Sequence, residues 1–307
     1  MKKIFIDGSA GTTGLRIHDR LMSREGIELI TLSDELRKDS NARREAMNGA
    51  DIVFLCLPDA AAIEAVSMIE NPNTAVIDTS TAHRTADGWV YGFAELDRRE
   101  AIAGAKRIAN PGCHASGFVA LVYPLVQAGL LSRNAALSCF SLTGYSGGGK
   151  KMIAEYESIT RDERLSAPRQ YALAQAHKHL PEMSAVTGLT DAPAFCPIVG
   201  DFYSGMEVTV PLFARDLYGS VEEIRAIYRA RYNTALVHYE EESDEGGFLS
   251  ASAFSGRDDM EIRVEGNDER ILLIARFDNL GKGASGAAIQ NMNILLGVEE
   301  TTGLCIQ

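Results

Sequence analysis

In Asn110-Pro111-Gly112-Cys113-His114-Ala115-Ser116-Gly117 a proline and glycine turn stands immediately ahead of a cysteine. A short strand over 106–109 leads into it, and an apolar stretch over 118–131 reads as a buried helix, so the sulfur of Cys113 sits at a helix N-terminus. There the helix dipole and free N–H groups stabilise a thiolate. An ordinary thiol of pKa ~8.5 is only about 3% thiolate at pH 7, whereas one lowered to ~6 is about 90% thiolate. That setting makes Cys113 a nucleophile. Cys56, Cys139, Cys196 and Cys305 lack it and read as core or incidental cysteines.

A thiol nucleophile needs a proton donor and acceptor. Ala176-His177-Lys178-His179-Leu180-Pro181-Glu182 gathers two imidazoles, an ammonium and a carboxylate. Leu180 precedes a proline and is biased away from helix, so His179 ends a loop and Pro181 opens a new helix. His179 is then the acid/base candidate, with Glu182 placed to orient it. The blander reading is a solvated loop. No metal is expected, because the His-x-His pair lacks further ligands at suitable spacing.

Two segments suit anions. Asp78-Thr79-Ser80-Thr81-Ala82-His83-Arg84 follows a strand, where Arg84 can grip a phosphate, and Gly144-Tyr145-Ser146-Gly147-Gly148-Gly149-Lys150-Lys151 is a glycine-rich turn ending in lysines. A third is Asp7-Gly8-Ser9-Ala10-Gly11-Thr12-Thr13-Gly14, lying between a strand and a helix. Its glycines let backbone N–H groups approach a pyrophosphate at the N-terminus of that helix. An unliganded tight turn would use the same glycines. Ser33 with Arg37 and Lys38 after the second strand favours NADP(H), while Asp34 keeps NAD open.

The elements that must position these residues are legible as periodicity. Apolar β-branched runs at 3–6, 27–32, 51–57 and 75–78 alternate with helical patterns at 13–24, 40–49 and 59–70. This predicts an α/β fold with a Rossmann-type parallel sheet. From about residue 135 the pattern changes: short runs at 135–142, 206–212, 260–264 and 271–275, with helical stretches near 150–159 and 221–232, predict a second, α+β domain with a mixed sheet. Residues 283–296 read as a C-terminal helix, and the acidic run at 240–245 as a solvated loop.

The 307 residues suggest about two domains at the ~150 residues typical of one. Hydrophobic residues at 46% and charged residues at 23% are ordinary for globular proteins and disfavour disordered, collagen-like and membrane-spanning classes. Thirty basic against 42 acidic residues, a formal charge of −12, argues against nucleic acid or anionic membrane as a partner. Five scattered cysteines fit free thiols in the cytoplasm, and Asp7 interrupts the first apolar run before it reaches the length of an export signal.

Together these segments resemble the N-acetyl-gamma-glutamyl-phosphate reductases, in their short (type 2) form, of the semialdehyde dehydrogenase superfamily. The resemblance also rests on Tyr91-Gly92-Phe93-Ala94-Glu95-Leu96 and, most specifically, on the block running from Asp278-Asn279-Leu280-Gly281-Lys282-Gly283 through Gln290-Asn291-Met292-Asn293. It implies an NADP-binding Rossmann-type domain over 1–112 with 284–307, and a catalytic and oligomerisation domain over 113–283. It further implies NADPH-dependent reduction of N-acetyl-glutamyl 5-phosphate to the semialdehyde and phosphate, through a thioester on Cys113 with His179 as acid/base, in a homodimer or homotetramer. Arg84, Asn110, Lys150 and His177 become candidates for substrate contact, and Gly147 joins the residues of 8–14, Ser33 and Arg37 as a candidate for cofactor contact. Aspartate-semialdehyde dehydrogenase, which shares the fold and thiol chemistry, and a non-redox thiol acyltransferase are the alternatives.

Overall fold

The computed structural model describes residues 1–241 and 245–306. Residues 242–244 of the acidic run lie outside the described residues. The chain divides into two compact units, Met1–Gly112 with Ala284–Leu304, and Cys113–Gly283 with the residues from Cys305 onward.

In the first unit β1 (Lys2–Asp7), α1 (Thr12–Leu21), β2 (Ile27–Ile30), α2 (Ser40–Gly49), β3 (Ile52–Leu55), α3 (Asp59–Ser67), β4 (Ala75–Asp78), β5 (Val90–Tyr91), α4 (Arg99–Gly104) and β6 (Arg107–Ala109) follow in order. The six strands are all parallel, arranged β2-β1-β3-β4-β6-β5. Both faces are covered. Alternate residues Ile4, Ile6, Phe54 and Ile77 pack with Ile17 and Leu21 of α1 on one side, while Phe5, Val53, Leu55 and Val76 pack with Met47 of α2 and Ala62 of α3 on the other. Continuous apolar strands such as Ile-Val-Phe-Leu in β3 are what a two-sided parallel sheet requires. The direction of strand order reverses at β1, so the loop after β1 opens at a topological switch point.

A helix from the far end of the chain, Gly286–Leu296, completes this unit, with Ile289 and Met292 in the same core as Ile4. Its buried amide donors are engaged: Asn291 Nδ2 donates to the Gly92 carbonyl at 2.9 Å and to Asn110 Oδ1 at 3.1 Å, and Gln290 Nε2 donates to Glu95 at 2.9 Å. A Cβ at residue 92 would lie 2.4 Å from Asn291 Nδ2. The Tyr91–Leu96 motif and the C-terminal block are therefore two halves of one contact.

In the second unit α5 (Cys113–Gln127), β7 (Ser138–Gly144), α6 (Gly149–Glu157), β8 (Arg169–Gln170), α7 (Leu180–Thr187), β9 (Ala194–Gly200), β10 (Met206–Phe213), α8 (Val221–Arg231), β11 (Val237–Tyr239), β12 (Met260–Gly266) and β13 (Arg270–Phe277) build a mixed sheet in the order β11-β12-β13-β10-β7-β9-β8. The helix Gly286–Leu296 is α9. The apolar α5 lies on this sheet, and Gly117 is what admits it so closely, since a Cβ there would meet Val208 Cγ2 at 2.5 Å. Asp278, at the end of β13, holds the turn that follows: its carboxylate accepts from Leu280 N–H at 2.8 Å and Gly256 N–H at 2.6 Å, and its carbonyl from Gly281 and Gly283 N–H at 3.0 Å.

Among the described residues no helix is long and apolar enough to cross a membrane. One expected boundary is corrected. The second strand stops at Ile30 rather than at 32, because the Ser33 carbonyl accepts from the N–H groups of Leu36 and Arg37, each at 3.0 Å, and turns the chain.

Candidate active site

The thiol stands where the turn signals put it. Cys113 is the first residue of α5 and is half-buried. The turn ahead of it is braced from several directions: Asn110 N–H donates to the Asp78 carbonyl at 2.7 Å, its Nδ2 to the Ala284 carbonyl at 3.0 Å, and its Oδ1 accepts from Asn291. Arg84, buried, donates through Nε to the Asn110 carbonyl at 2.9 Å and through Nη2 to the Thr79 carbonyl at 3.0 Å. Both residues expected to hold substrate thus fix the backbone that delivers Cys113. His83 belongs to the same brace, its Nδ1 2.6 Å from Asp78 Oδ2 and its ring stacked on Trp89 at 4.1 Å.

His179 stands immediately before α7 and is buried, with Pro181 and the buried Glu182 both in the first turn of the helix. Its N–H donates to His177 Nδ1 at 3.2 Å. That bond makes Nδ1 an acceptor and leaves the proton of neutral His177 on Nε2. The two rings are 4.7 Å apart, and a third imidazole, His114, lies 5.6 Å from each. Phe195 closes the cluster at 5.3 Å from His114 and 5.1 Å from His177. Burial, then the neighbouring His177 and Lys178, push the His114 pKa down to about 3, and burial and Lys178 lower that of His177. Both rings are neutral bases at physiological pH.

Sequence reasoning passed over His114 because adjacent residues on a helix point in different directions, so a histidine next to the thiol is not thereby its partner. What places it is its bonding: Nδ1 lies 2.7 Å from Ser141 Oγ, and Nε2 lies 2.7 Å from the Tyr171 hydroxyl. Tyr171 and Ser141 carry no signal in the sequence, being lone residues on or beside strands.

Elsewhere in the second unit, Lys150 is exposed in the first turn of α6. Gly147 precedes it in the turn Tyr145–Gly148, exposed, with space for a Cβ no closer than 3.5 Å to Asn279. Neither shares a hydrogen bond with the imidazole cluster among those described.

In the first unit the loop over residues 8–14 is built around its glycines. Gly8 has φ +87°, and a Cβ there would lie 2.3 Å from the Cys56 carbonyl oxygen; one at Gly14 would lie 2.5 Å from the Gly8 carbonyl oxygen. Backbone packing therefore demands both. Ser9, Ala10 and Gly11 are exposed, and α1 begins with no side-chain cap and no acidic residue in its first turn. Its leading N–H groups are accordingly ready for an anion. A cavity of about 620 Å³ is lined by Gly8, Ser9, Ala10, Asp34, Arg37 and Lys38. These residues fit a dinucleotide: the loop matches the pyrophosphate and the cations a further phosphate. Arg37 also pairs with Asp34 at 3.1 Å, while Arg43 is engaged by Asp7 at 2.8 Å. Ser33 does not line this cavity and contributes its carbonyl to the turn instead.

The family profile of the semialdehyde dehydrogenase NAD-binding domain matches residues 34–105, and that of the semialdehyde dehydrogenase dimerisation domain matches residues 113–279. Among curated proteins, an N-acetyl-gamma-glutamyl-phosphate reductase from Burkholderia lata is 47% identical over 97% of both chains. Another from a Nostoc strain is 44% identical over 98% of this chain and 99% of its own, and one from Pseudomonas putida 44% over 98% of each. Solved structures of aspartate semialdehyde dehydrogenases share the fold: that of Vibrio cholerae, complexed with ASA, at a TM-score of 0.73 and 15% identity over 97% of this chain and 98% of its own, and that of Francisella tularensis at 0.71 and 14% over 96% and 100%. At 44–47% identity over nearly the whole length, the chain belongs to the N-acetyl-gamma-glutamyl-phosphate reductase family of semialdehyde dehydrogenases.

Proposed function

We propose that this chain reduces N-acetyl-glutamyl 5-phosphate to N-acetyl-glutamate 5-semialdehyde and phosphate with NADPH, in arginine biosynthesis. The observation that carries the reading is Cys113 at the head of α5 in the same unit as the His177–His179 pair, in a chain 44–47% identical to proteins named for this reaction. Cys113 attacks the acyl carbon as a thiolate, held by the α5 dipole, and phosphate leaves as the thioester forms. His179 takes the thiol proton and returns one when the product departs, with Glu182 positioning it. A reduced nicotinamide, when bound, supplies the hydride that the thioester accepts. Cys113 is then released as the thiohemiacetal oxyanion collapses to the aldehyde.

The backbone of Gly8, Ser9, Ala10, Gly11, Thr12, Thr13 and Gly14 would hold the pyrophosphate, and Arg37 with Lys38 the 2′-phosphate that separates NADP from NAD. Lys150 supplies a cation for the substrate's anionic groups, with His177 as a further contact, and Gly147 contributes to cofactor contact. Arg84 and Asn110 serve by bracing the turn ahead of Cys113. The dimerisation domain supports a homodimer or homotetramer, and five free cysteines accord with a cytoplasmic enzyme.

The test is nucleotide reduction in the reverse direction with N-acetyl-glutamate semialdehyde, phosphate and NADP, for wild type and Cys113→Ser. Phosphate-dependent reduction lost in the variant is the expected result. Activity with aspartate semialdehyde in place of the acetylated substrate would overturn the assignment.

A further inference from the structure

One side chain beside the thiol has no role in the steps above. Tyr171 directly follows β8, and its N–H donates to the Pro197 carbonyl at 3.0 Å, which roots the residue on the sheet. Its hydroxyl is 2.7 Å from His114 Nε2, and His114 Nδ1 is 2.7 Å from Ser141 Oγ. Ser141 and His114 are both buried and Tyr171 is half-buried, so Tyr171 is the most accessible member of this three-residue chain. His114 follows Cys113 directly at the head of α5, so the phenol is hydrogen-bonded to the immediate neighbour of the thiol-bearing residue.

We infer that Tyr171 is a further catalytic residue, whose hydroxyl, aimed by His114, donates a hydrogen bond to the oxygen of the acyl carbon bound at Cys113. The inference rests on the acyl-phosphate reading of the site. The inference assigns the direction of the bonds along the Ser141–His114–Tyr171 chain, with Ser141 as the donor to His114 Nδ1. Burial, with His177 and Lys178 adding to it, holds its pKa at about 3, so the ring carries one proton. With Ser141 donating to Nδ1, that proton is on Nε2 and is donated to the Tyr171 oxygen, leaving the phenolic O–H to donate outward. His114 is the positioning residue.

As the Cys113 sulfur bonds to the acyl carbon, the carbonyl π pair moves onto oxygen, and the phenol meets that charge without giving up its proton. Burial and then the Cys113 charge raise its pKa, which keeps it a donor rather than an acid. When the pair returns, the bond from carbon to the phosphate oxygen breaks and phosphate leaves with those electrons. The same oxygen charges again after hydride addition, and its collapse breaks the carbon–sulfur bond.

Tyr171→Phe tests this, with steady-state reduction and iodoacetamide alkylation of Cys113 measured side by side. Losing one oxyanion donor lowers kcat by about 10²–10³-fold, with KM changed by less than about threefold. Alkylation builds no charge on a carbonyl oxygen at sulfur attack, so its rate stays within about twofold of wild type. An unchanged kcat overturns the inference. So does a parallel fall in alkylation, which would make Tyr171 a servant of the thiol. If circular dichroism shows Tyr171→Phe unfolded, His114→Gln and His114→Ala decide: Gln keeps an N–H toward the phenol and should retain at least about tenfold more kcat than Ala. Equal rates overturn the inference. A wild type inactive with this substrate removes the reading beneath it, and is distinct from an active wild type matched by its variant.

Discussion

The hydroxyl of Tyr232 donates at 2.5 Å to the carbonyl oxygen of Ala120, whose partner in an unbroken helix would be the N–H of residue 124. Residue 124 is proline, inside α5, and has no N–H to give. Tyr232 thus repairs, from the end of α8, the gap that Pro124 opens in the helix bearing Cys113. The Tyr228 hydroxyl donates likewise to the Leu121 carbonyl. Tyr232→Phe should cost about 1–3 kcal/mol, the penalty for an orphaned buried carbonyl. In a Pro124→Ala background, where the N–H returns, the same change should cost about 1 kcal/mol less. Urea denaturation of the four proteins reads the coupling; equal costs in both backgrounds would refute the repair.

The parallel sheet was legible in the sequence because buried strands are continuous apolar runs and the helices between them are periodic. The starts of α5 and α7 were legible because Pro111-Gly112 and Pro181 are turn chemistry, which acts locally. β9 was not legible. Pro197 stands in its middle, and a proline argues against a central strand. It is tolerated because its carbonyl faces Tyr171 on the β8 side, so the absent N–H also falls toward the sheet edge, where β8 pairs only at Arg169 and Gln170. The Ser141–His114–Tyr171 chain was illegible for a different reason: its members are 27 and 57 residues apart from the central histidine, and no periodicity links them. Arg84 shows the limit of reading by residue type, since a guanidinium suited to phosphate instead holds two carbonyls.

The glycines of the loop after β1 separate into two kinds. Gly8→Ala places a side chain at φ +87° and 2.3 Å from the Cys56 oxygen, and should destabilise the protein by more than about 2 kcal/mol. At Gly11 the nearest atom to a new Cβ is 3.5 Å away and φ is −75°. Gly11→Ala should therefore fold within about 0.5 kcal/mol of wild type yet bind NADPH more weakly, because its exposed backbone is where the proposed pyrophosphate contact would form. Thermal denaturation paired with nucleotide titration checks both. Undiminished affinity in Gly11→Ala would move the dinucleotide elsewhere.

The buried imidazole of His114 makes the fold acid-sensitive in a defined window. Its pKa is about 3 in the folded chain against an ordinary 6.5. Between those values the unfolded chain binds a proton that the folded one refuses, so stability falls as pH falls, by up to about 1.4 kcal/mol per pH unit from this group. Above about pH 6.5 both states are neutral and the contribution is complete. His114→Gln, which cannot titrate, should lose less stability between pH 7 and pH 5 than wild type does. Denaturant midpoints at the two pH values measure it, and identical slopes for both proteins would contradict the assignment.

The proposed nucleotide preference rests on the cations beside the 620 Å³ cavity of the first unit. Arg37 and Lys38 are both exposed at its edge, and a 2′-phosphate would meet them there, while Asp34 competes for Arg37 through its 3.1 Å ion pair. Replacing both cations with alanine should raise KM for NADPH by about tenfold or more, about 1.4 kcal/mol of binding, and leave KM for NADH nearly unchanged. Asp34→Asn removes the competing charge as well as a group that would repel the phosphate, so its effect runs the other way, lowering KM for NADPH. The selective sign is what matters. Since both nucleotides share the pyrophosphate, a change that weakens NADH and NADPH equally would place these cations at the pyrophosphate rather than at the ribose. Steady-state KM values for the two nucleotides across the three proteins decide between those positions.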